Sequence, residues 1–151
     1  MLERFEAFTK NVAAADKFVK KIKGAEMRRF GIQGSCVMCL FYLSNAEEGL
    51  TPIELRELCD EDKAAISRNL ASLHEKNFIM VDEKKKYRAL IRLTEKGEEM
   101  AKRLDGLIET WVEVVGKGLS EQDRAAFYRG LDIISNNLRE GAENLMTTKG
   151  E

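Results

Sequence analysis

A chain of 151 residues has the length of one domain, and a globule of that size buries roughly 70% of the surface its unfolded form exposes, so a core can form without disulfide or metal staples. With 44% apolar residues, 34% charged residues and one proline, the composition is helix-rich, too apolar for disorder and too often interrupted by charge for a membrane span. The net charge of −1 excludes a uniformly basic protein, yet Lys63 to Arg92 holds eight basic and three acidic residues, a local +5 that leaves −6 on the remainder and suits a phosphate-binding patch.

In chain order, Phe5, Phe8, Val12, Ala15, Val19 and Ile22 alternate steps of three and four. They predict an amphipathic helix from Leu2 to about Lys23, with a narrow stripe that suits packing along another long helix. Its first residues mix charges into the apolar pattern, unlike a signal or transit peptide, so a cytoplasmic location is expected. Gly24 to Gly34, with three glycines and Arg28-Arg29, reads as a connector. A second helix follows from about Ser35 to Ala46. Val37, Met38, Leu40, Phe41 and Leu43 make it apolar around most of its circumference, and Gly49 is placed to end it.

Thr51-Pro52-Ile53-Glu54 combines a hydroxyl N-cap, proline at N1 and the N3 glutamate of a capping box. The third helix therefore starts there and runs to about Leu58, with Ile53, Leu55 and Leu58 available for the core. Cys59-Asp60-Glu61 is a tight turn, Asp62 caps a fourth helix that continues to Lys76, and Asn77 is a left-handed residue after its end. On that helix Ile66, Leu70 and Leu73 share one face. At about 100° per residue, Ala64, Ser67, Arg68, Ala71 and Glu75 fall on the other, which near its start is small, hydroxylated and basic, as a helix entering a groove requires.

Phe78 to Asp82 is a short apolar strand. After Glu83-Lys84-Lys85-Lys86 the chain returns as Tyr87 to Leu93, with Tyr87, Ala89, Ile91 and Leu93 on one face and Arg88 and Arg92 on the other. Thr94 caps a long helix through Met100, Leu104, Leu107, Ile108, Trp111 and Val115, whose end Gly116 and Gly118 loosen. Ser120, with Asp123 at N3, opens a last helix in which Phe127, Leu131, Ile134, Leu138, Ala142 and Leu145 again alternate threes and fours. Seams at both ends of the chain predict a dimerisation module, and Thr147 to Glu151 a frayed tail.

Helix, short turn, helix and hairpin, carrying Leu50-Thr51-x-x-Glu54-Leu55, Asp62-Lys63-Ala64-Ala65-Ile66-Ser67-Arg68-x-Leu70, Leu73-x-Glu75-Lys76-Asn77-Phe78-Ile79 and Leu93-Thr94-Glu95-Lys96-Gly97, resemble the MarR family of winged helix-turn-helix regulators over nearly the whole chain. The fold class is then mainly α with a small β-hairpin (α+β), a single domain over 1–151. Its winged helix-turn-helix DNA-binding part spans 35–94, and helical dimerisation parts span 1–34 and 95–151. The resemblance implies a homodimer whose recognition helices enter successive major grooves of a near-palindromic operator in double-stranded DNA while the wings reach the minor grooves. It further implies a repressor released by a small ligand, by thiol oxidation or by a metal. Where the family wing often reads Asp-x-Arg, Lys85-Lys86-Tyr87-Arg88 stands here, and Asn77 stands where glycine is common.

The candidate DNA contacts follow from chemistry. Ser67 and Arg68 supply a hydroxyl and a guanidinium, the usual donors to phosphate, and arginine also pairs with guanine. Lys63, Ala64 and Ala65 sit at a helix N-terminus, where free N–H groups favour phosphate and small side chains permit close approach to bases. Lys84, Lys85, Lys86, Arg88 and Arg92 form the basic wing, although lysines at a hairpin tip also deter edge-to-edge aggregation. By resemblance, Met27, Phe30, Cys36, Tyr42 and Trp111 are the candidates to line an effector pocket; the same residues serve equally as core. Three cysteines without export signals predict reduced thiols. Cys36-x-x-Cys39 reads as two small core residues or as a thiol sensor, and Cys59 as packing in the turn. The single histidine, His74, excludes a multi-histidine zinc site and leaves any Ser-His-Asp arrangement dependent on that one residue; with no phosphate-binding glycine loop, neither cofactor nor catalysis is expected. The function expected is a sequence-specific DNA-binding transcriptional regulator, with a redox-sensing regulator using Cys36 and Cys39 or a winged-helix protein adaptor as the rival readings.

Overall fold

The computed structural model describes residues 1–82 and 89–147. Among them six helices and one hairpin follow in the order α1 (Leu2–Arg28), α2 (Cys36–Ser44), α3 (Pro52–Cys59), α4 (Lys63–Glu75), β1 (Ile79–Asp82), β2 (Leu90–Leu93), α5 (Glu95–Val115) and α6 (Glu121–Thr147). The expected class, mainly α with a small hairpin, is the one observed. The chain divides into two compact units, Met1–Leu107 and Ile108–Glu151. No helix among the described residues is long and apolar enough to cross a membrane.

In the first unit α2 is the central element. It buries Cys36, Val37, Cys39, Leu40 and Leu43, and α3, α4 and β2 all pack on it. Leu55 of α3, Ile66 and Leu73 of α4, Ile79 and Ile91 of the hairpin, and Met100, Ala101 and Leu104 of α5 complete the core. Each large side chain removed from water contributes about 1.5–3 kcal/mol. The strands pair antiparallel in the register Ile79↔Leu93, Met80↔Arg92, Val81↔Ile91 and Asp82↔Leu90. Residues 83–88, which include the expected tip residues Lys84, Lys85, Lys86 and Arg88 as well as Tyr87, lie outside the described residues, as do 148–151.

Several sequence expectations need correction. α1 does not stop at Lys23 but continues through Gly24 to Arg28 and buries Met27. One glycine costs a helix only about 1 kcal/mol, too little to end it. A Cβ on Gly34 would lie 2.7 Å from the Gly24 nitrogen, so the connector folds back directly onto the α1 backbone. Gly49 does not end α2, whose C-cap is Asn45; it turns the chain into Leu50, which exchanges hydrogen bonds of 3.0 and 2.8 Å with Ile91. Of the three apolar residues of α3 only Leu55 is buried, while Ile53 and Leu58 are 62% and 44% exposed. An eight-residue helix turns one narrow face inward, and Ile53 points about 200° round from Leu55.

In the second unit a capping box starts α6. The Ser120 hydroxyl accepts from the Asp123 amide at 3.2 Å, and the Ser120 amide and hydroxyl donate to Asp123 Oδ2 at 3.3 and 2.6 Å. The hydroxyl donor foremost, then the amide, holds the Asp123 carboxyl below the usual carboxylate range. Arg124 donates to the Gly116 carbonyl at 3.2 Å, placing a cation where α5 ends. No residue of α6 is buried, and Phe127, Tyr128, Leu131, Ile133, Ile134, Leu138 and Leu145 are exposed. In the first unit α1, 27 residues long, buries only Met27 and exposes Phe5, Val12, Phe18 and Val19.

Candidate nucleic-acid interface

The interface is built from two capped helices. Thr51 Oγ1 accepts from the Glu54 amide at 3.2 Å, and the Glu54 carboxylate returns to the Thr51 amide at 2.8 Å, so α3 begins where its sequence signals place it. Asp60, at φ 52°, reverses the chain after Cys59. Asp62 Oδ1 then accepts from the Ala65 amide at 2.7 Å and opens α4, while Asn77 takes the expected left-handed conformation after it, at φ 57°. Asp62→Ala should lower folding stability by about 1 kcal/mol, read as a shift of the urea midpoint at unchanged slope; an unchanged midpoint would deny the cap its role.

One face of α4 is buried through Ile66, Asn69 and Leu73. The other exposes Lys63, Ala64, Ser67, Arg68, Ala71 and Glu75, with Ala65 half-buried at the edge. The side chains of Lys63, Ser67 and Arg68 make no hydrogen bond or ion pair with any described residue. Three polar groups near the free N–H groups of one helix start are thus left directed at whatever lies outside. His74 is exposed on the same helix.

The rotation of this helix is set by Asn69, a residue that sequence reasoning missed. Ser35 Oγ donates to Asn69 Oδ1 at 2.6 Å, Asn69 Nδ2 donates to the Ser35 carbonyl at 3.4 Å, and Cys36 Sγ lies 3.8 Å from both Asn69 oxygens. A signal was present: Asn69 falls three after Ile66 and four before Leu73, and a polar residue inside an apolar stripe implies a buried hydrogen bond.

On the wing, Arg92 is engaged within the chain. Its Nη1 donates to the Glu47 carbonyl at 3.4 Å and its Nε lies 3.9 Å from Asp82 Oδ2, which ties the hairpin to the α2–α3 turn and leaves the side chain 40% exposed. Among the expected pocket residues, Met27 and Cys36 are fully buried, Phe30 and Tyr42 are half-buried, and Trp111 belongs to the second unit. A cavity of about 580 Å³ in the first unit is lined instead by Leu43, Asn45, Glu47, Arg92, Lys102 and Asp105 among others.

The two cysteines of the Cys36-x-x-Cys39 motif have different partners. Cys36 turns to Asn69, and burial pushes its thiol up. Cys39 lies instead 3.9 Å, sulfur to sulfur, from Cys59.

No protein-family model and no curated protein matches this chain. Solved structures do. The transcriptional regulator SlyA superposes with a TM-score of 0.82 at 20% identity, over 91% of this chain and 98% of that one. A MarR/EmrR family transcriptional regulator from Acinetobacter sp. ADP1 does so with 0.79 at 23% identity, over 91% and 97%. MepR of Staphylococcus aureus, in a complex with DNA, matches with 0.78 at 19% identity, over 87% and 97%. With the capped helix pair, the hairpin and the long flanking helices in this order, the chain has the winged-helix fold of the MarR family of transcriptional regulators.

Proposed function

We propose that this chain is a sequence-specific DNA-binding transcriptional regulator of the MarR kind, working as a homodimeric repressor that a small ligand releases. The observation that carries the reading is the outer face of α4, where Lys63, Ser67 and Arg68 stand exposed and without partners among the described residues, beside the small Ala64 and Ala65. Phosphate takes the cations and the hydroxyl, base edges take Arg68, and the alanines let the helix sink into the major groove. Lys84, Lys85, Lys86 and Arg88 extend the contact along the backbone; Arg92, held by the Glu47 carbonyl, supports the wing and contributes less. The MepR–DNA complex on the same fold supports this assignment.

The winged part, 35–94, reads DNA, and the helices of 1–34 and 95–151 join two copies. The exposed apolar faces of α1 and α6 favour that arrangement, because a monomer would leave them in water. Two heads about 34–36 Å apart match a near-palindromic operator. Of the expected effector contacts in the first unit, the half-buried Phe30 and Tyr42 are the ones within reach of a ligand, since Met27 and Cys36 are fully buried; the protein is a cytoplasmic binding protein without catalytic activity.

Filter binding against salt tests the reading. Two heads with a handful of phosphate contacts each should lose about 10³–10⁵ in affinity between roughly 50 and 200 mM salt. Affinity that stays flat over that range would overturn it.

A further inference from the structure

We propose that Cys39 and Cys59 form an oxidisable dithiol, which a hydroperoxide closes into an intrachain disulfide between α2 and the end of α3. The two sulfurs are 20 residues apart in sequence and 3.9 Å apart in space. A disulfide of about 2.05 Å asks for a further approach of about 1.9 Å. Cys59 can supply that movement: it is the last residue of a helix of only eight residues, with the turn at Asp60 directly after it.

The pair is asymmetric in access and in charge. Cys39 is fully buried and Cys59 half-buried, so an oxidant meets Cys59 first. Either thiol can donate to the other across the 3.9 Å gap; with Cys59 the more exposed of the two, the thiolate is held there by the Cys39 thiol, with the Lys23 ammonium adding to this and burial and the Glu61 carboxylate opposing it. The same hydrogen bond, with burial, raises the pKa of Cys39. Because only Cys59 can be reached by an oxidant from outside, it is the attacking thiolate and Cys39 the resolving thiol.

In the first step the Cys59 sulfur attacks the distal peroxide oxygen; an S–O bond forms, the O–O bond breaks, and the leaving oxygen departs with a proton as water or an alcohol. In the second, the Cys39 sulfur attacks the sulfur of the Cys59 sulfenic acid; the S–S bond forms, the S–O bond breaks, and the hydroxyl leaves as water with the Cys39 proton. Two thiols give up two electrons and the peroxide accepts them. Cys36, turned towards Asn69, takes no part. The chemistry does not depend on what the head binds. It does act on the head, since pinning Cys59 to α2 moves the turn from which Asp62 starts α4.

Peptide mapping of the intact wild-type chain tests this. After a slight excess of hydrogen peroxide, denaturation and alkylation, trypsin leaves Cys36 and Cys39 together in peptide 30–56 and Cys59 in peptide 57–63. The expected product is monomeric chain in which these peptides are linked, with fragmentation placing the bridge at Cys39, reversal by dithiothreitol, and persistence of the bridge in Cys36→Ser. A bridge inside peptide 30–56, a disulfide between chains, Cys59 carried to the sulfinic acid beside a free Cys39, or thiols left unreacted would each overturn it. The decisive measurement uses the wild-type protein, so no variant has to fold.

Discussion

Replacing Gly97 with alanine is expected to lower folding stability by about 3 kcal/mol or more, a large share of the roughly 5–15 kcal/mol that holds a domain folded. Gly97 is buried in the first turn of α5, and a Cβ there would run into the Phe78 carbonyl oxygen and press within 3.2 Å of Leu93 Cβ. That carbonyl cannot step aside. It accepts from the Thr94 amide at 3.1 Å, while the Phe78 amide donates to the Leu73 carbonyl at 2.9 Å. Relief would have to pull the start of α5 from the hairpin and break the Thr94 bond. Urea unfolding should therefore show a much lower midpoint for Gly97→Ala. Gly106→Ala on the same helix, where nothing lies within 4 Å, should instead gain up to ~1 kcal/mol from helix propensity alone. Equal midpoints for the two variants would refute the account.

Arg68→Ala is the corresponding test of the reading head. It should weaken DNA binding by about 1–3 kcal/mol, or about 5- to 150-fold, with the melting temperature unchanged. The side chain is exposed and makes no hydrogen bond or ion pair with a described residue, so folding has little to lose. If Arg68 meets a phosphate, affinity should fall for every sequence and the salt slope should shrink by about 1; if it reads a guanine, discrimination at one base position should relax. A variant that binds normally but melts early would make the arginine structural.

What could be read from the sequence, and what could not, divides by range. The caps of α3, α4 and α6 are hydrogen bonds that close within four residues, so Thr51-x-x-Glu54, Asp62 and Ser120-x-x-Asp123 announce themselves in a short window. The outward face of α4 follows from helical period, which placed Ala64, Ser67, Arg68, Ala71 and Glu75 there; Leu70, expected inside with Ile66 and Leu73, is only half-buried, and Asn69 is buried with them instead. Contacts between distant segments carry no such signature. Gly34 against Gly24, Ser35 against Asn69 and Cys39 against Cys59 depend on how α1, α2, α3 and α4 pack. Cys36 and Cys39 are both buried, as two small core residues would be, but their i, i+3 spacing says nothing of which sulfur a neighbouring helix brings closer, and that sulfur is Cys59. Thr94-Glu95-Lys96-Gly97 was legible as a helix start, but the need for glycine at its end came only with the Phe78 carbonyl.

The Ser35–Asn69 hydrogen bond has a consequence for how such a protein can diverge. It fixes the azimuth of α4 through the buried Asn69 and the exposed Ser35 just before α2. The positions of Lys63, Ala64, Ser67, Arg68 and Ala71 are thereby released from any duty in holding the helix, and they can be rewritten while its aim is preserved. Substitution at these sites should leave the fold intact, whereas change at Asn69 would swing the whole outward face of α4 at once.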